Sequence, residues 1–162
     1  MIDEERLGTY LQDHYAGSAA GIELFRRAAQ QQSDPAARTA LTALLEEVEN
    51  DRAALERFLA AVGKRPDPVK NAGAWLAEKL SRLKPNGELL HRSPLSDVIE
   101  LEGLRLAVDG KAAGWRVLRR LAEDEDRFDR SELDRLLKSA ADQIDLLERL
   151  RMAAAERVFR HK

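Results

Sequence analysis

The sequence predicts an all-α protein: a bundle of four long helices with a short extra helix in the crossover between the second and third. Three observations predict it. Proline and glycine are rare where long helices would run, with only Pro35 between Gly21 and Gly63 and no proline after Pro94. Apolar residues recur at three- and four-residue steps over long stretches. No segment asks for a strand. At 162 residues the chain is long enough for one domain with a sizeable core, so 1–162 is read as a single unit.

The first helix is predicted over about 4–32, with Leu7, Leu11, Tyr15 or Ser18, Ile22, Phe25 and Ala29 at helical spacing. Ser33-Asp34-Pro35 ends it. Asp34 can cap the next helix, and Pro35 suits its first position. The second helix spans about 35–62, with Leu41, Leu44, Leu45, Val48, Leu55, Phe58, Leu59 and Val62 as its stripe and Gly63 as its stop. A short helix fits 69–83, bearing Trp75, Leu76, Leu80 and Leu83, and Pro85-Asn86-Gly87 breaks it. Ser93-Pro94 repeats the cap-plus-proline start. The third long helix then reaches about 124 through Leu95, Val98, Leu101, Leu104, Val108, Ala112, Trp115, Leu118 and Ala122. Ser131-Glu132 lies just before or within the first turn of the fourth, which carries Leu133, Leu136, Leu137, Ala140, Ile144, Leu147, Leu150, Ala154 and Val158.

This order gives two helical hairpins joined by a crossover of about 30 residues. A crossover along the side leaves the second and third helices parallel, and that arrangement is favoured over one across the end. The opening helix of each hairpin has a small-residue step, Gly17-Ser18-Ala19-Ala20-Gly21 and Gly110-Lys111-Ala112-Ala113-Gly114. Each glycine costs roughly 1 kcal/mol against alanine in a helix. Close approach of the first and third helices at these glycines would offset that cost.

Composition excludes several classes. There is no cysteine, so disulfide scaffolds, thiolate zinc sites and cysteine catalysis are out, and a cytoplasmic location is expected. The net charge is −2, with no concentrated basic face for nucleic acid. No stretch approaches the roughly 20 apolar residues of a membrane span. Met1-Ile2-Asp3-Glu4-Glu5 does not open like a secretory signal.

Pairing across the first hairpin sets residues whose numbers sum to about 67 at one level, which puts His14 near Asp51 to Ala53. Asp51 falls three after Val48 and four before Leu55, on or beside the apolar stripe. His14 falls three after Leu11. A polar cluster of Tyr10, His14, Tyr15 and Asp51 is therefore expected, either as a satisfied buried pair or as part of a metal shell. Carboxylates alone can hold hard cations, and the best set is Glu47, Asp51 and Glu102 with His14. Glu23 is expected at the surface with Arg27. His91 and His161 are too dispersed for a histidine-rich site, and the two tryptophans read as packing. No catalytic nucleophile stands out.

The two hairpins, their long join and the phrase from Leu44 through Glu46-Glu47-Val48-Glu49-Asn50-Asp51 to Gly63 resemble the ferritin-like superfamily. In that family two helices supply Glu-x-x-His to a dimetal centre. Here Asn50 or Asp51 stands where the family histidine would be. Gln143 or Asp145 stands near the corresponding place in the fourth helix. The resemblance is closest to uncharacterised bacterial members with degenerate ligand motifs. It implies a bundle without the usual dimetal centre and without a cofactor, in a structural, binding or stress-related role. The alternative is a carboxylate-rich iron or manganese protein or oxidase. A further reading is a small-molecule binder with a pocket near Tyr10, His14 and Asp51. A homodimer is also expected, since long helices with wide apolar faces can pair.

Overall fold

Local capping decides where each helix begins. The computed structural model describes residues 2–67 and 92–160 and contains α1 (Glu4–Gln31), α2 (Pro35–Ala61), α3 (Leu95–Leu121) and α4 (Arg130–Phe159). No strand occurs among the described residues. Asp3 caps α1 through Arg6 N, and Asp34 caps α2 through Ala36 N with Pro35 in the first turn. Gly63 follows α2 with φ +69°, the left-handed conformation that glycine adopts without strain. Asp129 caps α4, and Ser131-Glu132 lies within its first turn: Asp129 Oδ1 accepts from Ser131 N at 2.8 Å and Glu132 N at 3.1 Å. At α3 the cap position is Pro94, and Ser93 Oγ only accepts from Leu95 N at 3.3 Å.

Each hairpin is antiparallel. The packing between hairpins fixes their relative direction. A Cβ on Gly114 would meet the His14 ring, and one on Gly103 would meet Leu24, so α3 runs antiparallel to α1. Arg57 pairs with Glu132 and Glu47 with Gln143, so α4 runs antiparallel to α2. Helices α2 and α3 are therefore parallel. The start of α3 is tied to the α1–α2 turn, where Gln32 Nε2 donates to Asp97 O and Ser33 N to Asp97 Oδ2. The end of α2 lies at the opposite end, where the Lys64 stem covers Gly8. The 27 residues of α2 cover about 40 Å at 1.5 Å per residue, so the end of α2 and the start of α3 lie at opposite ends of the bundle. The short helix predicted over 69–83, with Trp75, lies outside the described residues, as do His91 and His161.

The core has two halves. One gathers Phe25, Leu41, Leu44, Leu101, Leu104 and Leu147 toward the α1–α2 turn. The other gathers Leu11, Phe58, Leu59, Trp115, Leu118 and Leu133 toward the α3–α4 turn. Burying each such leucine contributes about 1.5–3 kcal/mol. Between the two halves lies a layer that is polar on one side and hollow on the other. No described helix is long and apolar enough to cross a membrane.

Candidate functional site

The middle of the bundle carries charge. Asp51 interrupts the α2 stripe between Val48 and Leu55 and is 7% exposed. Lys111 interrupts the α3 stripe between Val108 and Trp115. The Lys111 ammonium pairs with Asp51 Oδ2 and also donates to Gln143 Oε1 at 2.6 Å. Gln143, 1% exposed on α4, donates from Nε2 to Glu47 Oε2 at 3.0 Å and Asp51 Oδ2 at 3.4 Å, and lies 3.1 Å from Ser139 Oγ. Three helices thus share one hydrogen-bonded layer. Burial pushes the Lys111 amine below its ordinary value, and Asp51 and Glu47 only partly oppose that shift.

Beside this layer a cavity of about 570 Å³ opens between α1 and α3, with α2 as its floor. Phe25, Val48, Leu55, Leu106, Val108 and Trp115 give it apolar walls, and His14, Asp51 and Lys111 give it polar points. That size and lining are typical of small-molecule sites. The two glycine steps shape it. Gly17, Gly21 and Gly110 line the cavity, and a Cβ on any of them would meet nothing within 4 Å. Only Gly114 makes a close approach, 3.1 Å from its ideal Cβ position to His14 Cε1. The glycines expected to draw α1 and α3 together instead mostly leave a gap between them.

The structure separates the residues singled out in the sequence. Asp51 and Glu47 meet through Gln143. His14 lines the same cavity as Asp51, but its ring packs edge-on to Tyr10 at 4.6 Å between centroids and against Gly114. The carboxylate of Asp51 bonds instead to Lys111 and Gln143, which reach it from α3 and α4. Burial holds His14 below its ordinary pKa, partly opposed by Asp13. Tyr15 donates to Glu56 Oε1 at 2.9 Å beneath the Arg52 guanidinium, which sits 4.3 Å above its ring. Glu102 points outward to Arg151 at 3.6 Å. Glu23 pairs with Arg26 at 2.6 Å, not with Arg27. Arg27 instead reaches the buried Glu100, which Arg92 also grips.

These positions do not fit a dimetal centre. Among the described residues no group of three or more acidic or histidine side chains is placed to hold a metal ion. The two acids that do converge, Glu47 and Asp51, face an ammonium and an amide, so a divalent cation would have to displace a tethered positive charge. No family model, no curated protein and no solved structure matches the chain.

Lys111 is the residue the sequence reading passed over. Its signal was present: it falls three after Val108 and four before Trp115, on the stripe that Leu104 and Leu118 extend.

Proposed function

We propose that this chain is a ferritin-like bundle that binds a small, mainly apolar molecule in the α1–α3 cavity, and that the Lys111 ammonium takes the central place a metal ion has in metal-bearing relatives of that superfamily. The cavity carries the first part of this reading. The parallel course of α2 and α3 supports the ferritin-like arrangement, and the Asp51–Lys111–Gln143 layer supports the replacement of metal by an internal cation. The role is binding rather than redox chemistry, in a cytoplasmic setting.

Trp115 lines the cavity, so its fluorescence in a Trp75→Phe background reports ligand entry. Titration with decanol should give saturable quenching or enhancement. Gly21→Leu, which grows into open space, should weaken it. Absence of saturable binding, or binding indifferent to Gly21→Leu, overturns the cavity reading. The dimetal alternative is favoured instead if the protein takes up stoichiometric iron or manganese that Asp51→Ala abolishes.

The expected homodimer would use the exposed stripe of α3, where Leu95, Ile99, Leu106 and Val117 share one face. Light scattering at micromolar concentration should give twice the chain mass, and a monomer there removes this part of the proposal.

A further inference from the structure

A lysine largely withdrawn from water at the wall of an apolar cavity has a specific chemical capacity. Lysine forms imines with carbonyl compounds, and desolvation in a hydrophobic pocket activates it by raising the share of free amine. Among the described residues, Lys64 is exposed and Lys138 is exposed, whereas the Lys111 side chain is 17% exposed at the cavity wall. The groups facing it are Asp51 and Glu47 from α2 and Gln143 from α4, with His14 of α1 lining the same cavity. Asp51 is in direct contact with the nitrogen and can take a proton from it.

We propose that Lys111 captures an aldehyde with an apolar body, forming an imine at Nζ inside the α1–α3 cavity. The proposal rests on the ligand-binding reading of that cavity. The free amine lone pair attacks the carbonyl carbon, and a C–N bond forms as the carbonyl π-bond breaks. The resulting carbinolamine loses its oxygen as water, which carries away two protons from the original ammonium. Ammonium and aldehyde thus give iminium and water, with no change in charge and no oxidant or reductant. Asp51 takes a proton from the ammonium to free the lone pair and returns it as the carbinolamine loses water, so it ends as counter-ion to the iminium, while Gln143 Oε1 holds the nitrogen at the wall. Phe25, Val48, Leu55 and Trp115 flank the site and offer apolar surface to the body of the aldehyde.

The test uses the full chain, decanal as probe and cyanoborohydride to reduce the imine to a stable secondary amine. Peptide mapping by mass spectrometry then locates the added decyl group among Lys111 and the six other lysines of the chain. At limiting decanal, the adduct on Lys111 should exceed the sum of all others and should persist to lower pH than labelling of Lys64 or Lys138. Decanol added in excess should suppress it. Lys111→Arg should abolish it. Because the mapping is done on the unaltered protein, a failure of Lys111→Arg to fold does not spare the proposal. Adducts only on exposed lysines, together with saturable decanol binding, overturn imine formation and leave the cavity reading standing. No decanol binding and no Lys111 adduct overturn both.

Discussion

Lys111 of α3 and Asp51 of α2 form an ion pair across the bundle, between the two halves of its core. The pair is mostly withdrawn from water, so its energetics are governed by desolvation as much as by attraction. Removing one partner strands the other. Asp51→Leu or Lys111→Met alone should each destabilise the fold by about 3–5 kcal/mol. The double variant Asp51→Leu/Lys111→Met should lose much less, and the coupling is read from the urea midpoints of all four proteins. Additive losses would show that the pair does not act as a unit.

The cavity glycines make a second contrast. Gly17 and Gly110 sit in helices with open space where a Cβ would stand. Gly17→Ala and Gly110→Ala should each stabilise the protein by about 0.5–1 kcal/mol. Gly114→Ala should lack that gain, because its Cβ would press on the His14 ring 3.1 Å away. His14→Ala should restore it. Thermal melts of the three alanine variants and the His14 double test the ordering.

Acid should loosen the joint between α3 and the α1–α2 turn. Burial works against the Asp97 carboxylate, but hydrogen bonds from Ser33 and Arg92 outweigh it and hold its pKa below the ordinary carboxylate value. Its folded pKa is therefore depressed. The stability it confers is present above the unfolded value of about 3.9 and is lost as pH falls through the lower folded value. Asp97→Asn should remove that component of the acid transition. A variant whose stability falls with acid as steeply as the parent would show that the transition comes from other groups.

The fold was legible because its signals are local or periodic. Asp34-Pro35 and Gly63 mark helix ends through backbone chemistry, and the leucine stripes mark the core face. The inward lean of Asp51 could be read from its neighbours Val48 and Leu55. Its partner could not. The hairpin rule brought His14 to the same level, but two other helices also approach Asp51, and one sequence does not give their register. Gln143 and Lys111 settle that contact from α4 and α3. The glycine steps were legible as unusual, yet small residues permit either close packing or a hollow. The side chains around them decide which: Leu106 and Trp115 flank open volume, and only His14 fills the space before Gly114. An inward-facing lysine is uncommon enough that its helical position was outweighed by its residue type.

His14 supplies a titration separate from that of Asp97. Its imidazole is half-buried against Tyr10 and Gly114, and burial lowers its pKa despite the opposing charge of Asp13. The unfolded chain therefore binds a proton at about pH 6.5, which the folded chain accepts only at lower pH. Between those two values the unfolded state holds more protons, so stability falls as pH drops through the window and levels off below the folded pKa. Above about pH 6.5 both states are neutral and His14 contributes no pH dependence. Replacing it with phenylalanine, which keeps a ring against Tyr10, should flatten the stability curve across this window. Protonation of His14 also puts a cation on the wall beside Lys111, so decanol affinity should weaken over the same pH range in the parent and not in His14→Phe. Parallel urea titrations and fluorescence titrations from pH 7.5 to 5 read both effects, and a parent whose two curves are flat there would show that this imidazole is not buried from water.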